Sequence, residues 1–319
     1  MLDAIACVGA SDRAVSCQLG VNVMIRGKSA WLTFGATSLF VALWSSGAVF
    51  ARLGLDHASP LAFLALRFAI ALAVLQSLAL LQRPRARPAP GSRARIAGIG
   101  ALMLGTYSIC YFLALDHGVT PGVLATVLGA QPLLTLLVTE RRLSPARLIG
   151  LGLALGGLIL VVFQSVVMAA LSGIGMACAF GALAGMTAGA ILQKSIRQPP
   201  LAVLPLQYAA SLALCLVCAP LEPWRVEPTV ALVLPLAWLA IAISVIGQLV
   251  LYRLIQAGNL VNVTSLFYLV PIVTAAMDRW ILGNALSPLN LCGMAAILAG
   301  LALVFRGTAE PRRPAVRGG

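Results

Sequence analysis

The sequence predicts an all-α integral membrane protein with ten transmembrane helices, arranged as two inverted five-helix repeats. Of its 319 residues, 61% are apolar and only 10% are charged, whereas a soluble domain carries about 25% charged residues. The apolar residues form runs of about 20, the length that crosses a hydrocarbon core about 30 Å thick. A soluble fold is therefore excluded. The alternating pattern of a membrane β-barrel is also absent from the sequence.

Breaks that contain charged residues, glycine or proline separate the apolar runs and delimit the predicted helices. In chain order the helices cover residues 30–50, 60–82, 96–115, 120–139, 146–166, 170–193, 200–219, 230–252, 259–277 and 287–306. The connections are short, so successive helices should be antiparallel. We expect residues 30–166 to form the first repeat and residues 170–306 the second.

The basic residues indicate the orientation of these helices. Most of the 22 Lys and Arg fall in alternate connections and in the two termini, and such an excess marks the cytoplasmic side. Arg93, Arg95, Arg147 and Arg253 are assigned to these cytoplasmic segments. The pattern predicts a multi-pass protein of the cell membrane (the inner membrane in a bacterium) with both termini in the cytoplasm. It also accounts for the net charge of +13 without a nucleic-acid partner.

Three segments fall outside the helices. Residues 1–29 lack the pattern of a signal peptide, and we expect either a disordered cytoplasmic leader or an over-extended start with Met24 as the initiator. Residues 83–95 (RPRARPAPGSRAR) form a predicted cytoplasmic linker. Residues 307–319 are basic and rich in Pro and Gly, which is typical of a disordered cytoplasmic tail.

An internal repeat relates the two halves of the chain. The segment QPLLTLLVTERRLSPARLIGLGLALGGLILVVF (131–163) matches VPIVTAAMDRWILGNALSPLNLCGMAAILAGLALVF (270–305) in its Pro, Thr, Leu-Ser-Pro and Gly-rich positions. Five helices separate equivalent positions, so the halves should lie in the membrane with opposite orientations. Inverted repeats are typical of secondary transporters, in which the substrate site lies near the midplane.

These residues also carry a resemblance to a known family. The sequence LFVALWSSGAVFARLGLDHASPLAFLALRFAIA, the Leu-Ser-Pro start of helix 5 and PIVTAAMDRWILGNALSP resemble the EamA-like group of the drug/metabolite transporter superfamily. The resemblance covers about residues 30–306. Family members carry Leu-Gly-Glu-Arg-Leu-Ser before helices 5 and 10. Here the copies read TERRLSP and LGNALSP, so the glutamate is shifted in one copy and replaced by Asn284 in the other.

The resemblance implies a secondary transporter that moves a small metabolite, such as an amino acid, by alternating access. It favours export over import and implies that helices 1, 3, 4, 6, 8 and 9 line the cavity. Two other classes stay open: a membrane-embedded enzyme acting on lipid-linked substrates and a non-transporting membrane sensor. The enzyme would need convergent acidic or histidine side chains at the membrane face, and Glu140 and Asp278 are predicted on opposite sides.

Polar side chains inside the predicted helices are the candidates for the site. An arginine within a span costs about 2.5–3.5 kcal/mol, so Arg67 should face protein or water. It would bind a substrate carboxylate, or pair with a helix-end carbonyl or with Asp56. Gln131 places an amide near the midplane. Pro132 and Pro271 each free a backbone carbonyl and kink a helix, which makes them the candidate hinges.

Several aromatic and polar side chains lie away from the span ends and are either packing residues or the lining of a central cavity. They are Trp44, Tyr107, Tyr111 and Tyr268. Gln248, Thr264 and Ser265 would add hydrogen bonds to such a lining.

Glycines recur every fourth residue in two of the predicted helices. They are Gly181, Gly185 and Gly189 in helix 6, and Gly152 and Gly156 in helix 5. This spacing lets helices approach closely. It predicts tight packing, either within the chain or between two copies in a homodimer.

The sequence points to no cofactor and no metal. Cys215 and Cys218 form a CxxC inside an apolar run without a second pair, which favours packing over metal or redox chemistry. Helix 1 contains no carboxylate, which argues against proton coupling by an acid in that helix. The partners expected are therefore a small-molecule substrate and the lipid bilayer.

Overall fold

The structure is a bundle of α-helices. This computed structural model describes residues 35–47, 49–82, 87–119, 121–140, 144–161, 163, 172–258, 260–273 and 288–306. The expected leader, most of the Leu-Gly-Asn-Ala-Leu-Ser-Pro segment and the tail lie outside the described residues. Within the described residues, extended backbone pairs only at an isolated antiparallel bridge between Ala58 and Val226.

Seven helices of the described residues are long and apolar enough to cross a membrane. They are α1 (Gly35–Leu55), α2 (Pro60–Leu81), α3 (Arg93–Asp116), α6 (Gly173–Gln193), α7 (Pro200–Leu221), α8 (Val230–Ala257) and α10 (Pro288–Arg306). The shorter apolar helices are α4 (Val123–Thr139), α5 (Pro145–Val161) and α9 (Leu260–Val273). Proline opens α2, α5, α7 and α10, where its missing N–H would have no intrahelical partner.

Some helix ends differ from the predicted boundaries. Helix α3 begins at Arg93 and not at residue 96, and α8 extends to Ala257. Arg93 and Arg253 are therefore helical, although the sequence placed both in connections. Both helices extend beyond the apolar residues to include an arginine, which is itself a good helix former.

Arg147 also differs from its assignment to a cytoplasmic connection, because its side chain is buried in the first turns of α5. Arg147 forms an ion pair with Glu140, just after α4, and donates a hydrogen bond of 3.3 Å to Asn262 of α9. The charge pattern could not reveal this burial, because it depends on packing among three helices.

Close helix contacts are made at glycines. In α5 and α10, a Cβ added at Gly157 would lie 2.6 Å from the Gly293 carbonyl oxygen, and one at Gly150 would lie 2.7 Å from that of Gly300. In α6, a Cβ at Gly185 would lie 3.0 Å from the Leu102 carbonyl oxygen of α3. The predicted close packing of helix 6 therefore occurs within the chain.

The two glycines predicted for close packing in helix 5 make no such contact within the described part of the chain, so contact between two copies stays a prediction for them. A Cβ added at Gly152 or at Gly156 would have no neighbouring atom within 4 Å, and both glycines are exposed. Gly150 and Gly157 of the same helix make the contact with α10 instead. The four-residue spacing did not distinguish the two faces, because α5 carries glycine on both.

Two long helices contain stretches of wider, π-helical turns. These stretches cover Ala101–Thr106 in α3 and Trp238–Gly247 in α8. Such turns leave backbone groups less regularly paired and occur frequently at functional sites. Two of the short helices are interrupted instead: α4 by a turn at Gly129 and Ala130, and α9 by a 3₁₀ turn over Leu266–Tyr268.

Candidate functional site

Arg67 lies about two turns into α2, inside a helix that otherwise carries no charge. Its Nε donates a hydrogen bond of 2.8 Å to Oγ of Ser244 in the π-helical part of α8. Among the described residues, no carboxylate oxygen lies within 4.0 Å of its guanidinium. Asp56, the acidic partner considered from the sequence, lies 3.8 Å from Arg52 instead. In this part of the chain, the guanidinium of Arg67 therefore has no carboxylate as a counter-charge.

Three tyrosines from two other helices surround this charge. Tyr107 and Tyr111 of α3 and Tyr208 of α7 are the electrostatic neighbours of Arg67. Tyr107 and Tyr111 are four residues apart and so share a helix face, with ring centroids 5.7 Å apart. We call Arg67, Tyr107, Tyr111, Tyr208 and Ser244 the arginine–tyrosine cluster.

Three members of the cluster are not fully buried. Arg67, Tyr107 and Tyr111 each retain some accessible surface. Trp44 of α1 is also partly accessible, and its indole lies within hydrogen-bonding range of the Tyr107 hydroxyl. Phenol hydroxyls, an indole N–H and a guanidinium would together offer hydrogen-bond donors to an anionic or zwitterionic solute.

A second polar group joins the two interrupted helices. The Tyr268 hydroxyl of α9 donates a hydrogen bond of 2.6 Å to the carbonyl of Gly129, at the turn that divides α4. Gln131 follows that turn with only 2% of its surface exposed, and its Nε2 has no hydrogen-bond partner among the described residues. Pro132 and Pro271 lie just after the two interruptions.

Trp44 connects the cluster with the interrupted helices. Its ring centroid lies 5.8 Å from that of Phe267 in α9, in an edge-to-face arrangement. A Cβ added at Gly247, just before Gln248, would lie 3.1 Å from the other side of the indole. Ser45, next to Trp44, donates a hydrogen bond of 3.3 Å to the Val270 carbonyl.

The structure thus brings part of the predicted set together. Trp44, Arg67, Tyr107 and Tyr111 lie at one site, while Gln131 and Tyr268 lie at the α4–α9 contact. Ser265 and Thr264 are buried, and their hydroxyls donate to the Val261 carbonyl of their own helix. Gln248 is buried beside Gly247.

Sequence reasoning missed Tyr208 and Ser244. Tyr208 is buried in a polar stretch of α7 that also contains Gln207 and Ser211. Polar residues at these positions within an apolar run could have identified Tyr208 as a candidate. Ser244 is a small hydroxyl in a very apolar helix, where it gave no signal of its own. The side chains of Tyr208 and Ser244 are also neighbours, so the surroundings of Arg67 extend from α8 to α7.

Connections between helices pair at both ends of the bundle. At one end, Glu222 Oε1 accepts a hydrogen bond of 2.5 Å from the Leu61 N–H at the start of α2. Burial raises the pKa of Glu222 above its ordinary value. At the other end, Lys194 Nζ donates to the carbonyls of Ile255, Gln256 and Gly258 at 2.5, 3.0 and 2.5 Å.

The contacts of Lys194 satisfy carbonyls at the end of α8 that have no partner within the helix. Burial, together with the neighbouring Arg197, lowers the pKa of Lys194. In the part of the chain that the structure describes, no group of three or more His, Cys, Asp or Glu side chains could hold a metal ion.

Fold and site together define a class: a polytopic helical membrane protein with a charged, partly accessible interior, which is the arrangement of membrane transporters. The chain belongs to the EamA-like transporter family, whose model matches residues 31–163 and again residues 171–306. Membership of this family points to a membrane transporter rather than an enzyme.

A curated relative and a solved structure add to this comparison. The chain is 25% identical over 284 residues to the "Probable amino-acid metabolite efflux pump" of Salmonella typhimurium strain LT2, over 82% of this chain and 91% of that protein. A solved crystal structure, titled only as that of a protein, superposes with a TM-score of 0.73 at 20% identity. The match covers 86% of this chain and 98% of that one, and it shows the shared fold.

Proposed function

We propose that the protein exports a small metabolite that carries a carboxylate, such as an amino acid, and binds it at the arginine–tyrosine cluster. The efflux pump similar to this chain supports export and an amino-acid-like substrate. The observation that carries the proposal is Arg67, a cation within a membrane helix that donates to a serine hydroxyl and has no carboxylate within 4.0 Å among the described residues. A substrate carboxylate would supply the missing charge.

We also propose that ten helices cross the membrane as two inverted repeats, residues 30–166 and 170–306. The double match of the family model supports this arrangement. So do three pairs of equivalent features: the glycine contacts of α5 with α10, the π-helical stretches of α3 and α8, and the interruptions of α4 and α9. In this proposal the protein lies in the cell membrane, and both of its termini are in the cytoplasm.

Alternating access would use the two interrupted helices as hinges. Pro132 and Pro271 lie in the first turn after an interruption and cannot donate a backbone hydrogen bond across it, so α4 and α9 would bend there at low cost. The hydrogen bond from Tyr268 to Gly129 would couple the two bends. Trp44, Gln131, Gln248 and Ser265 would then line or border the cavity through which the solute moves.

The test is transport by the purified protein in liposomes, measured as counterflow of labelled amino acids. We expect Arg67→Gln to weaken apparent affinity for the transported amino acid about tenfold or more, because a hydrogen bond to a charged group contributes roughly 1.5–3 kcal/mol. Ser244→Ala should weaken affinity less, since it removes only the group that orients Nε of Arg67. Arg52→Gln is the matched control, because Arg52 is exposed at the end of α1.

Two results would contradict this proposal. If a broad panel of metabolites shows no counterflow with wild-type protein that is monodisperse after reconstitution, the transport assignment to amino-acid-like solutes fails. If transport occurs but Arg67→Gln and Arg52→Gln behave alike, carboxylate binding at Arg67 fails. Comparing each amino acid with its decarboxylated amine separates these cases, because only the carboxylate form should depend on Arg67.

A further inference from the structure

An open groove of about 430 Å³ lies on the bundle surface between α2 and α7, where Arg87, Pro88 and Arg93 line one end of it. Its floor is formed mainly by aliphatic side chains, with Gln76 of α2 as a polar member, and includes Leu72, Ala79, Leu80, Leu206 and Ala209. From Leu72 to Leu80 the groove follows α2 for about 12 Å, at 1.5 Å per residue. Leu80 is 53% exposed, so the groove is open at the outer surface of the bundle.

Two arginines lie at the polar end of this groove. Arg87 belongs to the connection after α2, and Arg93 is the first residue of α3. Both are exposed, and no carboxylate oxygen of the described residues lies within 4.0 Å of either. The N-terminus of α3 adds partial positive charge at the same place.

Hydrogen bonds hold the described end of the α2–α3 connection, residues 87–92, in position. The Ala89 N–H donates a hydrogen bond of 2.8 Å to Oε1 of Gln198, and Nε2 of Gln198 donates one of 3.2 Å to Oγ of Ser92. Nη2 of Arg95 donates a hydrogen bond of 2.7 Å to Oγ of Ser195. Arg87, in this connection, and Arg93, at the start of α3, are therefore held at the groove by hydrogen bonds to residues that precede α7.

We propose that this groove binds an anionic phospholipid, with the phosphodiester at Arg87 and Arg93 and one acyl chain along α2 and α7. Basic pockets between transmembrane helices on the cytoplasmic side bind anionic headgroups, and the positive-inside pattern assigns this end of the bundle to the cytoplasm. Guanidinium groups pair with phosphate oxygens through two parallel hydrogen bonds. The aliphatic floor would contact the acyl chain, and the two arginines would bind the negatively charged headgroup. The bound lipid would link α2, α3 and α7 at this end.

Native mass spectrometry of the purified full chain, with phosphatidylglycerol added and phosphatidylcholine of the same acyl chains as the comparison, tests the proposal. We expect one phosphatidylglycerol to be retained in preference to phosphatidylcholine. Each of Arg87→Gln and Arg93→Gln should reduce its retention about fivefold, the effect of one basic residue near an anionic membrane surface. Arg253→Gln, an exposed arginine at the same end of the bundle, should leave retention unchanged.

A second variant tests the apolar part of the site. Ala209→Trp fills the groove while keeping both arginines, so it should release phosphatidylglycerol without changing binding of inorganic phosphate or glycerol 3-phosphate. Equal retention of the two phospholipids, or equal loss in Arg253→Gln and Arg87→Gln, would overturn the proposal. Equal competition by inorganic phosphate would also overturn it, because the groove would then bind the free anion. Size-exclusion profiles identify any variant that fails to fold, and the remaining variants still decide the result.

Discussion

Two arginines inside the bundle differ in what surrounds them. Arg147 is buried beside the carboxylate of Glu140 and donates to Asn262, so its charge is compensated within the protein and it joins three helices. Arg67 meets a serine hydroxyl and three phenols, none of which carries a negative charge at neutral pH. A buried charge without a counter-charge is costly, which is why Arg67 and not Arg147 is the residue suited to an anionic solute.

The burial of Glu222 should make the stability of the folded protein depend on pH. Burial raises its pKa in the folded protein above the ordinary value of 4.5, so the folded chain holds the proton more tightly than the unfolded chain does. Unfolding therefore releases a proton, and this group's contribution to stability falls as pH rises from about 4.5 through the raised pKa. We expect Glu222→Gln to remove this decrease, because Gln is neutral and keeps an oxygen that accepts from the Leu61 N–H.

Thermal unfolding of detergent-solubilised protein between pH 4 and pH 8 measures this effect. The difference in Tm between Glu222→Gln and wild type should become more positive with rising pH and then level off. Asp56→Asn, at an exposed position on the neighbouring connection, is the control for replacing a carboxylate by an amide at this end of the bundle. A constant difference across the range would mean that Glu222 keeps its ordinary pKa.

At the scale of single residues, the sequence pointed to side chains that are costly to place in a membrane helix. It did not point to side chains whose importance comes from contacts with other helices. Arg67 was predicted because a charge within an apolar run is expensive wherever the helix packs. Tyr208 and Ser244 could not be assigned, because their significance is contact with Arg67 across three helices. Arg147 was placed in a connection for the same reason, since no local pattern reveals that Glu140 and Asn262 enclose it.

At the scale of helix contacts, α5 contains one glycine that touches α10 and another that touches no other helix among the described residues. A Cβ at Gly157 would lie 2.6 Å from a backbone carbonyl of α10, whereas at Gly152 nothing lies within 4 Å. We expect Gly157→Ala to destabilise the protein by about 1–3 kcal/mol, the usual cost of overpacking. Gly152→Ala should be neutral or stabilising, because alanine has the higher helix propensity by about 1 kcal/mol.

The measurement for this pair is the unfolding temperature of the two variants in the same detergent. The same substitution in the same helix separates the effect of contact from that of helix propensity. If both variants change the unfolding temperature equally, the contact between α5 and α10 at Gly157 and Gly293 is not present in the protein.

The order and approximate bounds of the helices were predictable, because hydropathy and proline positions are local properties. Pro132 also predicted an irregularity in α4. The π-helical stretches of α3 and α8 were not, because their sequences, ALMLGT and WLAIAISVIG, contain no residue that distinguishes such turns from an ordinary helix. Their position is set by tertiary packing, and in both helices they lie at or beside the arginine–tyrosine cluster.

At the scale of the whole molecule, the connections define the two ends of the bundle. The Ser59 N–H donates a hydrogen bond of 2.9 Å to the Arg225 carbonyl, and the Glu227 N–H donates one of 2.8 Å to the His57 carbonyl. The α1–α2 and α7–α8 connections therefore share one end. The hydrogen bonds of Gln198 place the α2–α3 and α6–α7 connections together, at the opposite ends of α2 and α7.

This pairing agrees with the charge pattern and leads to a prediction about sidedness. In a variant lacking the seven native cysteines, single cysteines at exposed positions should react with a membrane-impermeant maleimide on intact cells when introduced as Asp56→Cys or Thr229→Cys. Ala89→Cys and Pro199→Cys should react only after permeabilisation, because the proposed orientation places the basic connections in the cytoplasm. A tag at either terminus should likewise be protected in intact cells. If the two termini are accessible from opposite faces, the number of crossings is odd. The two five-helix halves could then not be inverted copies around a shared cavity.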